Sequence, residues 1–575
     1  MSGTPDITFD ISQVPFSRFG SYFAVSYLDK PDLPLGAGVY LRSVHGSGVV
    51  KPELFRIDWA DGQPIEFDEV EATPSHLTLR RSDGGKVVLC MPEPGTVRFF
   101  GERAGLRLEM PPGSGVVVHP DDGGRWVVNA FPALRRYGVE RIRGLVDADA
   151  PTFVDARHTL HHKRVVLTLR PDAGGSFDVA IDEFGSTWAP KRRQPFEMSV
   201  ALVKDTFDAW LAGMPEVPEV WEEALGLAAY VDWSCVVDPY DRLVRPTMFM
   251  SKNHMCQVWS WDNCFNAIAL SYGHPELAWD QLMVLVDHQD PFGAFPDSVN
   301  DLTRHYNFSK PPVHGWALSL MREQKPEFFA PARLRQIYGP FSRWANWWLS
   351  HRVGQGESLP HYLHGNDSGW DNSTMFDAGV PLIAPDLAAV LALHCFELSD
   401  LATLLGEDTD AIKWHEAAIR LIADLIHTLW REDHFVALRQ TDHEVVDSDS
   451  LIPCIPIVLG KWLPPEFQAA LVDRIRRFLT DFGLATEDPQ SPHYAPDSYW
   501  RGPIWAPSTL LIVSGLEAIG EDELARTISE RFCAMCAESG FAENFDALTG
   551  EGLRDPAYSW TASVFIILAH KLAAA

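Results

Sequence analysis

Hydrophobic and polar positions alternate in short runs through the chain before Met198, as in SHLTLRR, KVVLCM and RVVLTLRP. The turn signals SDGG, DDGG and DAGG separate these runs. A period of two broken by turns at close intervals predicts antiparallel strands, and hence a β-sandwich over residues 1–197. The period then lengthens. SVALVKDTFDAWLAGMP predicts a linker helix over 198–217, and VPEVWEEALGLAAYVDW opens an α-rich region, 218–575, of about twelve helical segments. Many of these segments start after Pro or Asp, among them HPELAWDQLMVLVDH, APDLAAVLALHCFELSDLATLLG, PPEFQAALVDRIRRFL and EDELARTISERFCAMCA. Asp386 is read as an N-cap and Gly406 as a helix stop. Ile419, Ile422, Ile426 and Leu429 are read as one apolar face. Helices paired in this way fit a closed ring of hairpins.

Composition narrows the function classes. The chain has 575 residues, 46% hydrophobic and 22% charged, which is ordinary for a globular protein. Its net charge of -30 argues against nucleic acid or an anionic membrane as partner, since both are polyanions. The start MSGTPDITFDISQVPF lacks the basic and apolar segments of a secretory signal, and no apolar run is read as a membrane span. A soluble, cytoplasmic protein is expected, with homo-oligomerisation left open. The eight cysteines are scattered, and only Cys533 and Cys536 form a CxxC, inside a helical pattern, so buried free thiols are expected. His158, His161 and His162 have no accompanying carboxylate or thiol and are read as a solvated strand edge. Neither a cofactor nor a catalytic metal is expected.

Candidate chemistry lies in the helical region, which holds sixteen of the 20 tryptophans. The stretch HGNDSGWDNSTMFDAGV puts Asp367, Asp371 and Asp377 beside Trp370 on a segment with neither helical nor strand period. WSWDNCF, RHYNFSKPPVHGW, YWRGPIW and GFAENFDALTGEG share its polar, aromatic and irregular character. Indoles that stack on sugar C–H faces, with Asp, Asn and Arg on the hydroxyls, suit carbohydrate. Cleaving a glycosidic bond then needs two carboxyl groups, one protonated and one ionised. Asp377 is read as a turn residue, and Trp344, Trp347 and Trp348 as core.

These segments resemble the motifs of glycoside hydrolase family 63, the group of processing α-glucosidase I and the mannosylglycerate and glucosylglycerate hydrolases. They are more distantly similar to those of trehalases. Asp367–Ser373 is similar to the family's E-S-G-M-D-N-S, and 542–552 to W-E-x-x-D-x-x-T-G-x-G. Trp261-Asp262, Trp500–Trp505 and Ser559–Thr561 match further motifs in the expected order. The resemblance implies an (α/α)6 barrel after a β-domain and an inverting, exo-acting α-glycosidase, most simply an α-glucosidase, acting on a small glycoside. It implies Asp371 as general acid and Glu543 as general base. Trp261, Asp262, Lys310, Trp370, Trp500, Arg501 and Trp505 would bind the sugar. Two positions depart from the pattern: Asp367 replaces Glu, and Lys310 replaces a Gln, which could favour a substrate carrying negative charge. The alternatives are a glycoside phosphorylase or a trehalase-like hydrolase on the same barrel, a sugar epimerase using His314, and a non-catalytic carbohydrate-binding protein.

Overall fold

The computed structural model describes residues 7–111, 115–121, 124–155, 158–189 and 191–574. The chain packs as two compact units. One comprises residues up to 212 with 229–256 and 300–302, and the other 213–228, 257–299 and 303 onward.

Two antiparallel sheets build the first unit. In spatial order the six-stranded sheet is Phe23–Leu28, Gly38–Ser43, Glu53–Trp59, Leu106–Glu109, Val166–Arg170 and Leu145–Asp149. The eight-stranded sheet is Val70–Ala72, Leu77–Arg80, Lys86–Glu93, Thr96–Glu102, Ser176–Phe184, Arg135–Arg143, Arg125–Ala130 and Val116–Asp121. The sequence period of two sorts side chains between core and surface: Leu106 and Leu108 are buried, while Arg107 and Glu109 between and after them are not. Ile57, Leu108 and Leu167 from one sheet meet Leu89, Phe99, Val139 and Ile181 from the other in one core. Each such side chain contributes about 1.5–3 kcal/mol on burial. The helix Phe196–Leu211 turns Phe196, Ser199, Val203, Phe207 and Trp210 inward at helical spacing and packs on the strand Lys86–Glu93.

The second unit is helical. Six segments, Asp262–Leu270, His314–Gln324, Pro385–Leu405, Ile452–Trp462, Ala506–Ala518 and Ser559–Ala574, each contact the next, and the last contacts the first. The ring is closed. Pro275–Asp287, Pro331–His351, Asp408–Leu429, Pro465–Ile475 and Asp522–Ser539 pack against ring members. The ring helices Pro385–Leu405, Ala506–Ala518 and Ser559–Ala574 are apolar nearly all round, whereas the added helices Pro331–His351 and Asp408–Leu429 are amphipathic. Ser559–Leu568 is buried throughout, whereas Asp408–Leu429 buries only a stripe.

Several expectations change here. The buried stripe of Asp408–Leu429 is Trp414, Ala417, Ala418, Leu421, Ile422, Leu425 and Leu429, while Ile419 is 41% exposed. The helical spacing holds but the face is shifted by one position, because Trp414 and Leu421 set the stripe. Asp386 lies inside its helix and not at the cap. It is buried and accepts a hydrogen bond from the Tyr362 hydroxyl (2.8 Å). One described helix, Pro385–Leu405, is long and apolar enough to cross a membrane, contrary to the sequence reading, but 78% of its apolar window is buried within the protein. It is a ring helix. Gly406 ends it with φ of 78°, in the left-handed region that glycine adopts without strain. All eight cysteines are buried thiols outside any disulfide, Cys533 and Cys536 included. Trp344 and Trp348 are fully buried, as core residues should be, while Trp347, read as core with them, is only partly buried.

Candidate active site

Each motif segment precedes the N-terminus of a ring segment, and hydrogen bonds knit the segments together. Asn372 accepts from the Trp500 amide (2.9 Å) and donates to the Ser498 carbonyl (3.1 Å). Ile504 and Phe545 exchange backbone hydrogen bonds of 2.7 and 3.0 Å. The Thr561 hydroxyl donates to the Ala542 carbonyl (2.7 Å), fixing the residue before Glu543. The structure therefore gathers Asp371, Glu543 and the tryptophan motifs at one place, although 172 positions separate the two carboxylates (543 minus 371).

Glu543 is 2% exposed, and its Oε1 accepts from the Tyr499 hydroxyl (2.9 Å). Burial pushes its carboxyl up to about 7, against the Tyr499 hydrogen bond, which favours the charged form. Tyr499 is held at φ of 57°, an unusual conformation for a bulky residue, with its carbonyl accepting from Trp505 Nε1 (2.8 Å). Asp371 is partly exposed. Burial raises it above the ordinary aspartate range; Asp297 adds to the rise, while Lys310 and His364 oppose it.

A charged floor accompanies the pair. Lys310, 4% exposed, forms an ion pair with Asp297 (2.9 Å) and donates to the Asn366 carbonyl. Asp262 begins the helix Asp262–Leu270 and is 4% exposed, with Oδ2 lacking a hydrogen-bond partner. Burial raises its carboxyl strongly; Lys310 opposes the rise, and Asp297 and Asp371 add to it. Asp367 accepts from the Ser309 and Leu363 amides and from Arg352, each at 2.8 Å. Such a saturated carboxylate braces the loop.

The tryptophans occupy one another. Trp500 and Trp505 stack face to face at 4.0 Å, Trp370 lies 4.6 Å from Trp500, and Trp261 lies 5.8 Å from Trp560. Trp261, Trp370, Trp500 and Trp505 are at most 2% exposed, so they wall the site and present no open indole face. Arg501 donates to the Asn372 carbonyl (2.7 Å) and through both terminal nitrogens to Asp377, which braces two motifs. Asp377 follows a short 3-10 turn, in keeping with its turn reading. His314 is fully buried, and burial pushes it down to about 3, so it is neutral and unsuited to moving protons for an epimerase. Among the described residues no group of three or more His, Cys, Asp or Glu could hold a metal ion.

Sequence reasoning missed Asp297 and the particular role of Tyr499. Tyr499 stood inside YWRGPIW. Asp297 carried no motif; the one available signal was Lys310 itself, since a buried lysine calls for an acid.

Known proteins resemble the chain in sequence and in fold. The chain is 24% identical over 384 residues to mannosylglycerate hydrolase MGH1 of Selaginella moellendorffii, covering 53% of this chain and 78% of that one. It is 22% identical over 416 residues to the glucosylglycerate hydrolase of Mycolicibacterium hassiacum, covering 54% and 91%. The fold is similar to that of the family 63 mannosylglycerate hydrolase of Thermus thermophilus in complex with Tris and D-glycerate, with a TM-score of 0.53 and 20% identity over 59% of this chain and 98% of that one. The model of the mannosylglycerate hydrolase MGH1-like glycoside hydrolase domain matches residues 255–561, more than half of the chain, and the protein belongs to that family of glycoside hydrolases.

Proposed function

We propose that the protein is an inverting, exo-acting α-glycosidase that hydrolyses a small α-glucoside or α-glycosyl conjugate. Its helical unit is read as an (α/α)6 barrel, a reading supported by the closed ring of six segments and the helices packed against it. Asp371 is the general acid, Glu543 the general base, and Asp262 with Lys310 hold sugar hydroxyls. Trp261, Trp370, Trp500, Trp505 and Arg501 fix the loops that carry them.

The observation that carries this reading is that two carboxyl groups from separate motifs, Asp371 and Glu543, both act on Tyr499, with burial raising each of them. Glu543 is buried, held by one hydrogen bond through Oε1, and raised to about 7, which suits a group that takes a proton from water. Asp371 is partly exposed; burial raises its carboxyl and Lys310 opposes the rise, and a raised carboxyl moves toward the protonated form that a general acid uses. In an inverting reaction water enters between base and sugar on the face opposite the acid, so acid and base stand roughly 6.5–9.5 Å apart. A phosphorylase has no use for such a base, because phosphate attacks directly. The unpartnered Asp262 Oδ2 supplies an acceptor for a substrate hydroxyl.

The relatives' names point to glycosides of glycerate, so the test pairs these with plain glucosides. Purified protein is incubated with α-glucosylglycerate, α-mannosylglycerate, trehalose and an aryl α-glucoside in phosphate-free buffer, and released sugar is followed by proton NMR. The β-anomer appearing first supports the proposal. First-formed α-anomer, or release only when phosphate is added, would sink it.

A further inference from the structure

The first unit contains a cationic cavity that the glycosidase reading does not use. Strand Gly38–Ser43 pairs with Glu53–Trp59 so that Arg42 stands opposite Glu53. Arg42 is 2% exposed. Its guanidinium donates to the Ser26 hydroxyl (3.3 Å), the Lys252 carbonyl (2.8 Å) and the Asn253 carbonyl, and Nε has no partner. Every acceptor is neutral. A buried cation without a carboxylate is uncommon, because desolvation is offset only by a counter-charge.

Lys252 repeats the pattern. It is 1% exposed, and its amine donates to the Ser17 hydroxyl (3.0 Å) and the Ser21 carbonyl (2.5 Å). Burial pushes it down to about 7. A cavity of about 210 Å³ opens beside these groups, lined by Arg42, Lys30, His45, His254 and a single acid, Glu53. Lys30 lies 3.2 Å from the ring nitrogens of His254. His45 spends its ring nitrogens on Glu183 (2.6 Å) and Asp301 (2.7 Å). Positive charge here stands out in a chain of net charge -30, which repels anions at long range and leaves local, built geometry as the only reason for one to bind.

We propose that this cavity binds a small oxyanion, a phosphate or a carboxylate, between Lys30 and Arg42. Arg42 lines the cavity with its Nε–H unpartnered, and the Lys30 ammonium on the same lining offers a mobile point charge. Glu53, opposite Arg42, works against the ligand. The site lies outside the catalytic motifs, and its occupation stabilises the β-rich unit through binding to the folded state alone.

Isothermal titration calorimetry of the full-length protein tests this, with inorganic phosphate in one arm and D-glycerate in the other, at ionic strength fixed by chloride. Saturable binding of one equivalent of either anion is expected; a response to only one identifies the class. Lys30→Glu should weaken Kd at least about tenfold, the worth of one hydrogen bond to a charged group, and Glu53→Gln should tighten it. Both substitutions are at surface-accessible positions, so glycoside hydrolysis should be unchanged. If neither anion binds saturably, or if both variants bind like wild type and so place the ligand elsewhere, including the catalytic site, the proposal falls.

Discussion

Asp371 and Glu543 differ in what surrounds them, and that difference makes the assignment testable one atom at a time. Asp371→Asn keeps shape and removes the proton. With a poor leaving group it should lower kcat about 10²–10⁴-fold while leaving the unfolding transition in place. More than a tenth of wild-type kcat would reassign the acid. Tyr499→Phe removes the hydrogen bond that favours ionised Glu543, so the Glu543 carboxyl should rise further above about 7. A base works when ionised, so the acidic limb of the kcat/KM profile should move to higher pH; an unmoved limb would detach Tyr499 from the base. Both carboxylates were legible because each stands in a motif of several fixed residue types. Asp297 was not, because its meaning comes only from the approach of Lys310 across thirteen positions of irregular chain (310 minus 297).

Elements were legible wherever local chemistry sets them. Pro at N1 or N2 opens the helices Pro275–Asp287, Pro385–Leu405 and Pro465–Ile475, in line with the sequence pattern, and Gly406 stops one of them. Irregular loops were legible as unusual but not in shape, since contacts with other loops decide them. The motif loop shows this at Gly369. It sits at φ of 76°, and a Cβ there would stand 2.5 Å from the Trp261 indole. Left-handed backbone costs an L-residue about 1–2 kcal/mol, and the buried Trp261 has little room to retreat. Gly369→Ala should therefore lower stability by more than about 1 kcal/mol in denaturant unfolding, and lower kcat by displacing Asp371 two residues on. Wild-type stability with full activity would mean that the loop tolerates another path.

Across the whole molecule buried carboxyl groups and His45 lower stability as pH rises, while Lys252 and His314, which burial pushes down, act the other way. Asp386 is raised to about 7 by burial, against its hydrogen bond from Tyr362, and Glu543 likewise to about 7. Burial works against a charge on His45, yet Glu183 and Asp301 outweigh it and raise its pKa. In all three the folded state holds its proton more tightly than the unfolded chain does. The stability each contributes is complete below the unfolded pKa and is lost as pH rises through the folded value. For the two acids the loss runs from the ordinary carboxylate range to about 7, and for His45 it begins at the ordinary histidine value and extends upward. The net charge of -30 adds self-repulsion that grows over the same interval as histidines lose their protons. Calorimetry should show these three contributions as a loss of Tm with rising pH, set above about pH 7 against the gain from Lys252. Inert salt should recover the repulsive part, because it screens exposed charge, and leave the buried part in place. Asp386→Asn keeps an oxygen for Tyr362 and cannot ionise, so its pH dependence in high salt should be shallower than that of wild type. An equal slope would show that Asp386 is ionised in the folded protein at neutral pH and that burial does not govern it.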